Sequence, residues 1–167
     1  MGIYFKDNFF SSGTTDIMNE NGEIVGNVDL KSAFGSSLDI YDETGEKVCG
    51  GKFRFFSNKW EVSDANEYEL GVLRIRMSFL TKRFEYDAGE RGIYEITSPS
   101  FSKEYEVQDQ GGRTVARFSQ TSGWLQSGAF YLENDSHLIS NWEWIAVVMG
   151  VHAIRKRANN NGASAST

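Results

Sequence analysis

Cysteine and proline are almost absent from this sequence: Cys49 and Pro99 are the single examples of each in 167 residues. A single cysteine excludes an internal disulfide framework and a metal site built from several cysteines, and it fits a reduced, intracellular setting. Glycine and aromatic residues are frequent by contrast, with 17 Gly and 14% Phe, Trp and Tyr. This composition favours a domain of β-strands joined by many tight turns.

An excess of positive charge is also missing, because 17 Lys and Arg are outnumbered by 23 Asp and Glu, giving a net charge of −6. Since nucleic acids are bound through a basic face, we expect no nucleic-acid partner. The first residues, MGIYFKDNFF, contain no basic segment followed by an apolar run, and Lys6 stands where a myristoylation signal has Ser or Thr. We therefore expect a cytoplasmic protein.

A short pattern occurs twice near the start of the chain, as DIMNENGEIV at 16–25 and as DIYDETGEKV at 39–48. Weaker copies follow at steps of 21 to 24 residues, beginning at Glu61, Glu85, Glu106 and about Ala129. Each copy has alternating apolar residues, a turn rich in Asn, Asp and Gly, and a returning strand, which is the pattern of a β-hairpin. Six hairpins predict about twelve antiparallel strands, and closing them into a barrel removes the exposed edges of so large a sheet.

The clearest returning strand is GVLRIRMSF, residues 71–79, in which apolar residues alternate with Arg74, Arg76 and a serine. A period of two places both arginines on the outward face of that strand. Between the hairpins lie short segments that contain aromatic residues, and we interpret them as the connections from one hairpin to the next: SAFGSS, FRFFSN, SFLTKR and SPSFSK.

After residue 140 the pattern changes to that of a helix, with Ser140 or Asn141 as N-cap, Glu143 in the first turn and basic residues at 155–157 in the last turn. Residues 144–151 are apolar on every side, so the helix must be buried all round or lie in lipid. Its eleven apolar residues at most are too few to cross a bilayer, which takes about 20, so no transmembrane span is expected.

We therefore predict a single domain over residues 1–157, in which the hydrophobic helix at about 141–157 is threaded through the centre of the closed barrel. The last residues, 158–167, are small and polar, and we predict that they form a disordered tail.

The repeated DI-x-(N/D)-E-x-G-E-x-V hairpin, the twelve short strands and the apolar C-terminal helix together resemble the tubby C-terminal-like fold, and within it the LURP-one-related family. The resemblance covers about residues 3–157. The same fold group includes tubby, which binds phosphoinositide headgroups, and the phospholipid scramblases. The resemblance therefore implies association with lipid or with a membrane surface, and it supplies no positions for a site.

Catalytic and cofactor signatures are missing: the sequence has no G-x-S-x-G, no Walker loop and no G-x-G-x-x-G after a strand, so we predict neither a catalytic centre nor a cofactor. His137 falls in a polar turn and His152 in the apolar helix, and neither has a partner at the spacing of a metal ligand. The ENGE and ETGE turns do not follow the alternation of a calcium loop, and we interpret them as hairpin turns.

Basic residues give the best indication of a site. Arg74, Arg76, Lys82 and Arg83 lie on successive strands or their connection and are our candidates for binding an anionic lipid headgroup. The alternative is that they are ordinary charges on a solvated barrel exterior. A further basic group, Lys52, Arg54 and Lys59, flanks another connection. If these side chains converge with the others, they could hold the anionic headgroup as well.

The expected function is that of a non-catalytic binding module for anionic phospholipid or a protein partner, acting peripherally at the inner membrane face. Two alternatives stay open. One is a scramblase-like protein whose final helix leaves the barrel to enter lipid, and the other is an enzyme with a site at the barrel mouth.

Overall fold

The structure is a computed structural model that describes residues 2–6, 13–31, 36–77, 82–98, 104–121 and 129–163. These residues form twelve β-strands, one short 3₁₀ turn at Gly89–Arg91 and one α-helix. The strands and the helix are β1 Ile3–Lys6, β2 Gly13–Asn19, β3 Ile24–Leu30, β4 Ser37–Asp42, β5 Lys47–Phe53, β6 Trp60–Asp64, β7 Glu69–Met77, β8 Lys82–Asp87, β9 Ile93–Thr97, β10 Tyr105–Gln108, β11 Thr114–Gln120, β12 Ala129–Asn134 and α1 Asn141–Ala163.

The strands form one closed antiparallel barrel in which each strand pairs with its neighbours along the chain. The first and last strands complete the circle, with Ile3 on β1 opposite Leu132 on β12. Apolar side chains alternate into the interior, as Leu38 and Ile40 do on β4, because successive residues of a strand point to opposite faces. The predicted fold of about twelve antiparallel strands in a closed barrel is confirmed.

Four of the hairpin turns share one hydrogen-bond pattern. Between β4 and β5, the Asp42 carboxylate accepts hydrogen bonds from the backbone N–H groups of Thr44 (2.9 Å) and Glu46 (3.0 Å). Gly45 lies between these two residues and has a φ of 81°, which a residue without a Cβ adopts easily. The residues that take the place of Asp42 in the other three turns are Asn19, Asp64 and Asp109. The two matching segments of the sequence therefore carry the same turn.

Helix α1 begins where the sequence predicts, at Asn141, with Ser140 as the N-cap whose Oγ accepts a hydrogen bond from the Glu143 N–H (3.1 Å). Its end differs from the prediction. We expected the helix to stop near residue 157 and a disordered tail to begin at 158, but the helix continues to Ala163. It continues because no proline follows the basic residues and Ala158 is a strong helix former. Residues 164–167 lie outside the described residues.

The helix occupies the interior of the barrel, as predicted, and its residues from Trp144 to Met149 are buried on every side. Trp60 on β6 contacts the middle of the helix. The Trp60 indole N–H donates a hydrogen bond to the backbone carbonyl of Ala146 (3.1 Å). The indole ring also lies against Gly150, where an added Cβ would collide with it. Gly150 therefore allows strand and helix to pack closely.

The barrel has two distinct ends. The turns between β2 and β3, β4 and β5, β6 and β7, β8 and β9, and β10 and β11 lie at the end where α1 begins, which we call the turn end. The other end, where the last residues of α1 contact the β5–β6 connection, is the helix-exit end. The predicted connection FRFFSN lies there, whereas SAFGSS, SFLTKR and SPSFSK fall largely outside the described residues. No helix in the described ranges is both long enough and apolar enough to cross a membrane.

Candidate functional site

The basic residues that the sequence favours as a site lie on β7 and β8. Arg74 and Arg76 share the outward face of β7, as the alternation predicts, and Arg83 on β8 is directly opposite Arg76 in the strand register. Lys82 also belongs to β8, but its side chain is outside the described part of the structure. The fold therefore brings the three described arginines together on the barrel wall.

Each of these arginines is paired with a carboxylate. The Nε atoms of Arg74 and Arg76 each lie 2.8 Å from an oxygen of Glu85, and Arg83 donates a hydrogen bond to Glu95 at 2.9 Å. The hydrogen bond from Arg76 is the main cause that lowers the pKa of Glu85 below its usual value. An anion at this position would have to compete with both carboxylates, and binding there stays a prediction.

Ion pairing of this kind extends over the whole barrel wall. Every Lys and Arg side chain that the structure describes on the barrel, with the exception of Lys59, lies within 4.0 Å of an Asp or Glu oxygen. The paired residues are Lys31, Lys47, Lys52, Arg54, Arg74, Arg76, Arg83, Arg91, Arg113 and Arg117. The positive charges of the wall are therefore largely neutralised by its own acidic residues.

Three basic side chains at the helix-exit end form no ion pair with any described residue: Lys59 in the β5–β6 connection, and Arg155 and Arg157 near the end of α1. Arg155 donates a hydrogen bond to the Tyr105 hydroxyl (2.9 Å) and lies 5.1 Å from the centre of that ring. Arg157 donates to the backbone carbonyl of Ser57 (3.2 Å). Since these partners carry no negative charge, the positive charges remain available to an external anion.

The β5–β6 connection presents two adjacent aromatic side chains to solvent. Phe55 is 87% exposed and Phe56 is 93% exposed, and their ring centres are 4.1 Å apart. The turn that carries them is closed by a hydrogen bond from the Arg54 N–H to the Lys59 carbonyl (3.0 Å). Phe55, Phe56, Lys59, Arg155 and Arg157 together are called the helix-exit surface below.

A groove of about 510 Å³ separates the two phenylalanines from the end of α1. None of the described residues that line it is acidic; they are Ser36, Phe53, Arg54, Phe55, Phe56, Lys156, Arg157 and Asn160. The guanidinium of Arg157 lies 4.7 Å from the centre of the Phe53 ring, within the range of a cation–π contact. The groove thus combines aromatic surface with positive charge.

The turn end holds a buried carboxylate, Glu143, which is 2% exposed. It accepts hydrogen bonds from the Tyr86 hydroxyl (2.5 Å) and from both terminal nitrogens of Arg91 (2.6 and 2.8 Å). The bond to Glu143 raises the pKa of Arg91, and burial raises the pKa of Tyr86. Because barrel side chains donate hydrogen bonds to both carboxylate oxygens, the cluster fastens the start of α1 to the barrel.

Metal and nucleophile chemistry has little support in the described residues, where no three or more His, Cys, Asp and Glu side chains are grouped to hold a metal ion. His137 is exposed in the loop before α1. His152 lies at the barrel interior, with its ring centre 5.1 Å from that of Phe130. Cys49 is buried, and burial raises the pKa of its thiol to about 12. Its thiol therefore behaves as a small apolar group.

The sequence predicts the FRFFSN segment as a connection with basic residues beside it, and it favours compensation of the helix dipole as the role of the 155–157 run. It does not predict the exposed aromatic pair as part of a site. The available signal was the pair Phe55–Phe56 in the middle of a short turn, flanked by Arg54 and Lys59. The signal is weak because aromatic residues usually belong to the core. Only the fold shows that the 155–157 run reaches the same end of the barrel.

Comparison with known proteins agrees with the resemblance predicted from the sequence. The family model described as LURP-one-related matches residues 3–137. A crystal structure of a protein from Arabidopsis thaliana is similar in fold, with a TM-score of 0.56 and 13% sequence identity. The similarity covers 95% of this chain and 90% of that chain, and at this identity it concerns the fold alone. No curated protein sequence matches the chain.

Proposed function

Starting from the fact that this chain belongs to the LURP-one-related family, we propose that it is a non-catalytic binding module whose helix-exit end docks on an anionic lipid surface. The family and the barrel fold are compatible with a binding module. Because one fold serves many functions, the proposal depends on the chemistry of a particular surface rather than on the fold.

The location of the unpaired cations is the observation that carries the proposal. Arg74, Arg76 and Arg83 already have carboxylate partners on the barrel wall. Lys59, Arg155 and Arg157 lack such partners among the described residues and share the helix-exit end. A cation without a partner gains the full attraction of a lipid phosphate, about 1 kcal/mol for each Lys or Arg near an anionic membrane.

The acidic residues favour the same orientation. Exposed carboxylates occur in the hairpin turns of the opposite end, at Glu20, Glu23, Glu43, Glu46 and Glu90. An uneven distribution of charge orients a protein as it approaches a charged surface, even where the net charge has the unfavourable sign. The protein, with its net charge of −6, would therefore approach an anionic membrane with the helix-exit end first.

Cosedimentation with lipid vesicles tests the proposal. We expect binding to vesicles that contain phosphatidylserine, no binding to pure phosphatidylcholine, and weaker binding at high salt, because salt screens exposed charges. The double variant Lys59→Gln/Arg157→Gln should bind about ten- to thirtyfold more weakly, since it removes two charges from the contact. The matched control Arg76→Gln/Arg83→Gln removes two charges from the barrel wall and should change binding by less than about threefold.

Two results would contradict the proposal. If the wild-type protein does not bind anionic vesicles even at low salt, the proposed docking on lipid is wrong, and binding of a protein partner becomes the better explanation. If the barrel-wall variant loses binding while Lys59→Gln/Arg157→Gln keeps it, the candidates predicted from the sequence form the site instead. The same vesicles with a fluorescent lipid in one leaflet test the scramblase-like alternative, which requires that the protein move lipid between leaflets.

A further inference from the structure

We infer that Phe55 and Phe56 insert into the boundary between headgroups and acyl chains of the bound membrane, so that docking has an apolar component besides its electrostatic one. This inference rests on the proposed function. It concerns different side chains from the cations that carry that proposal. The occupant of the helix-exit surface is therefore a lipid surface rather than a soluble anion, which would need the cations alone.

The exposure of the two phenylalanines has no explanation in the folding of the barrel. They are 87% and 93% exposed, they contact each other, and neither belongs to the hydrophobic core or to the side chains packed against it. Single exposed apolar residues are common on protein surfaces, but an adjacent exposed aromatic pair at a projecting turn is typical of an interaction site.

The backbone conformation of the turn also supports the inference. Phe56 has a φ of 52°, in the left-handed region where Gly or Asn is the usual choice. The turn is nevertheless well defined, because the Ser57 N–H donates to the Arg54 carbonyl (3.2 Å) and the Arg54 N–H donates to the Lys59 carbonyl (3.0 Å). A phenylalanine at this position contributes little to the turn, and its exposed ring is available to a partner outside the molecule.

The neighbouring charges decide which partner fits. Arg157 donates a hydrogen bond to the Ser57 carbonyl (3.2 Å) and so connects the end of α1 to the turn that carries the phenylalanines. Lys59 stands at the other side of the same turn and is exposed. Aromatic rings flanked by Arg and Lys match the membrane boundary, where acyl chains lie beneath a layer of phosphates.

The sequence outside the described residues is consistent with the inference. The segments 7–12, 32–35, 78–81, 99–103 and 122–128 lie outside the described residues, and each contains Phe or Trp. They join strands whose neighbouring ends belong to the helix-exit end of the barrel. The surface defined above does not include them, and the inference depends only on Phe55 and Phe56.

The test compares Phe55→Ser/Phe56→Ser with a matched control, Tyr68→Ser/Leu138→Ser, which alters two exposed apolar residues near the turn end (72% and 61% exposed). The affinity for phosphatidylserine-containing vesicles is measured as a function of salt. We expect the phenylalanine variant to bind about ten- to a hundredfold more weakly, because it removes apolar surface that membrane binding buries. The control should bind like the wild type, and both variants should keep the wild-type dependence on salt, because their cations are intact.

A second variant, Phe55→Trp/Phe56→Trp, distinguishes a loss of membrane contact from misfolding of the turn. Tryptophan retains an aromatic ring suited to the membrane boundary, so this variant should bind at least as tightly as the wild type. Equal binding by the wild type and the serine variant would overturn the inference and leave the proposed function intact. Equal losses in the serine and tryptophan variants would also overturn it. Failure of the wild type to bind at low salt would instead overturn the proposed function, and the inference with it.

Discussion

Glu85 shows how a single carboxylate neutralises a group of arginines. Its oxygens receive hydrogen bonds from Arg74 and Arg76, and its side chain is only 17% exposed. A carboxylate shared between two guanidinium groups at a shielded position forms a stronger pair than an ordinary surface contact does. Glu85 therefore holds β7 and β8 together, and it reduces the positive field that the two arginines present to solvent.

The pKa of Glu85 leads to a prediction about acid stability. Hydrogen bonding from Arg76 lowers that pKa below its ordinary value of 4.5. A carboxylate with a lowered folded-state pKa stabilises the fold above its unfolded pKa, and this stabilisation is lost as the pH falls through the folded-state pKa. We expect Glu85→Gln to reduce the difference in free energy of unfolding between neutral and acid pH, as measured by urea unfolding. Glu43→Gln, at an exposed carboxylate, is the control, and equal effects of both substitutions would refute the assignment.

Arg74 and Arg76 could be placed on one outward face from the sequence, because an alternation of period two is a property of the strand itself. Their pairing could not be predicted. It depends on the register that sets Arg74 opposite Glu85, and register follows from turn geometry and packing across the sheet. For the same reason, the cations that remain unpaired could be recognised only after every strand had its partner.

At the scale of the element, α1 is held at three levels along the barrel. Its start is fastened by the Glu143 contacts with Arg91 and Tyr86. Trp60 contacts its middle at Ala146 and Gly150, and Arg157 connects its end to Ser57. These contacts favour a helix that stays on the barrel axis, and they oppose the alternative in which it leaves to enter lipid.

Glu143→Gln tests how strongly the start of the helix is held. The change keeps the shape of the side chain and removes its charge, which leaves the partly buried Arg91 without a counter-charge. We expect a loss of about 2–4 kcal/mol in the free energy of unfolding, measured by urea denaturation. Arg91→Gln and the double variant complete a cycle whose coupling energy should be about 1–3 kcal/mol. Strictly additive losses would show that the pair does not fasten the helix.

The beginning of α1 could be predicted because a cap is local: Ser140 and Glu143 stand three residues apart. Its end lies six residues beyond the predicted one. Small polar residues after 157 are typical of a disordered tail, but no proline stands there to stop the helix. The partner of Glu143 could not be predicted from the sequence, because Arg91 is 52 positions away and contacts Glu143 only in the closed barrel.

At the scale of the whole molecule, closure of the barrel separates two chemical surfaces. Hairpin turns with Asn, Asp and Glu collect at the turn end, and the β5–β6 connection with its exposed Phe55 and Phe56 lies at the helix-exit end. An antiparallel barrel produces this separation from an alternating sequence, because every second connection lies at the same end. The fold could be predicted from the hairpin pattern. The helix-exit surface could not, since it combines residues near 55 with residues near 157.

Attachment of an environment-sensitive fluorophore at each end of β6 tests the central claim most directly. Asn58→Cys places the label beside the phenylalanines, and Asn66→Cys places it at the turn end; both positions are exposed, and the natural Cys49 is buried. On addition of phosphatidylserine-containing vesicles, we predict a blue shift and higher emission from the label at 58 and no change at 66. Changes at 66 alone, or equal changes at both positions, would contradict docking through the helix-exit end.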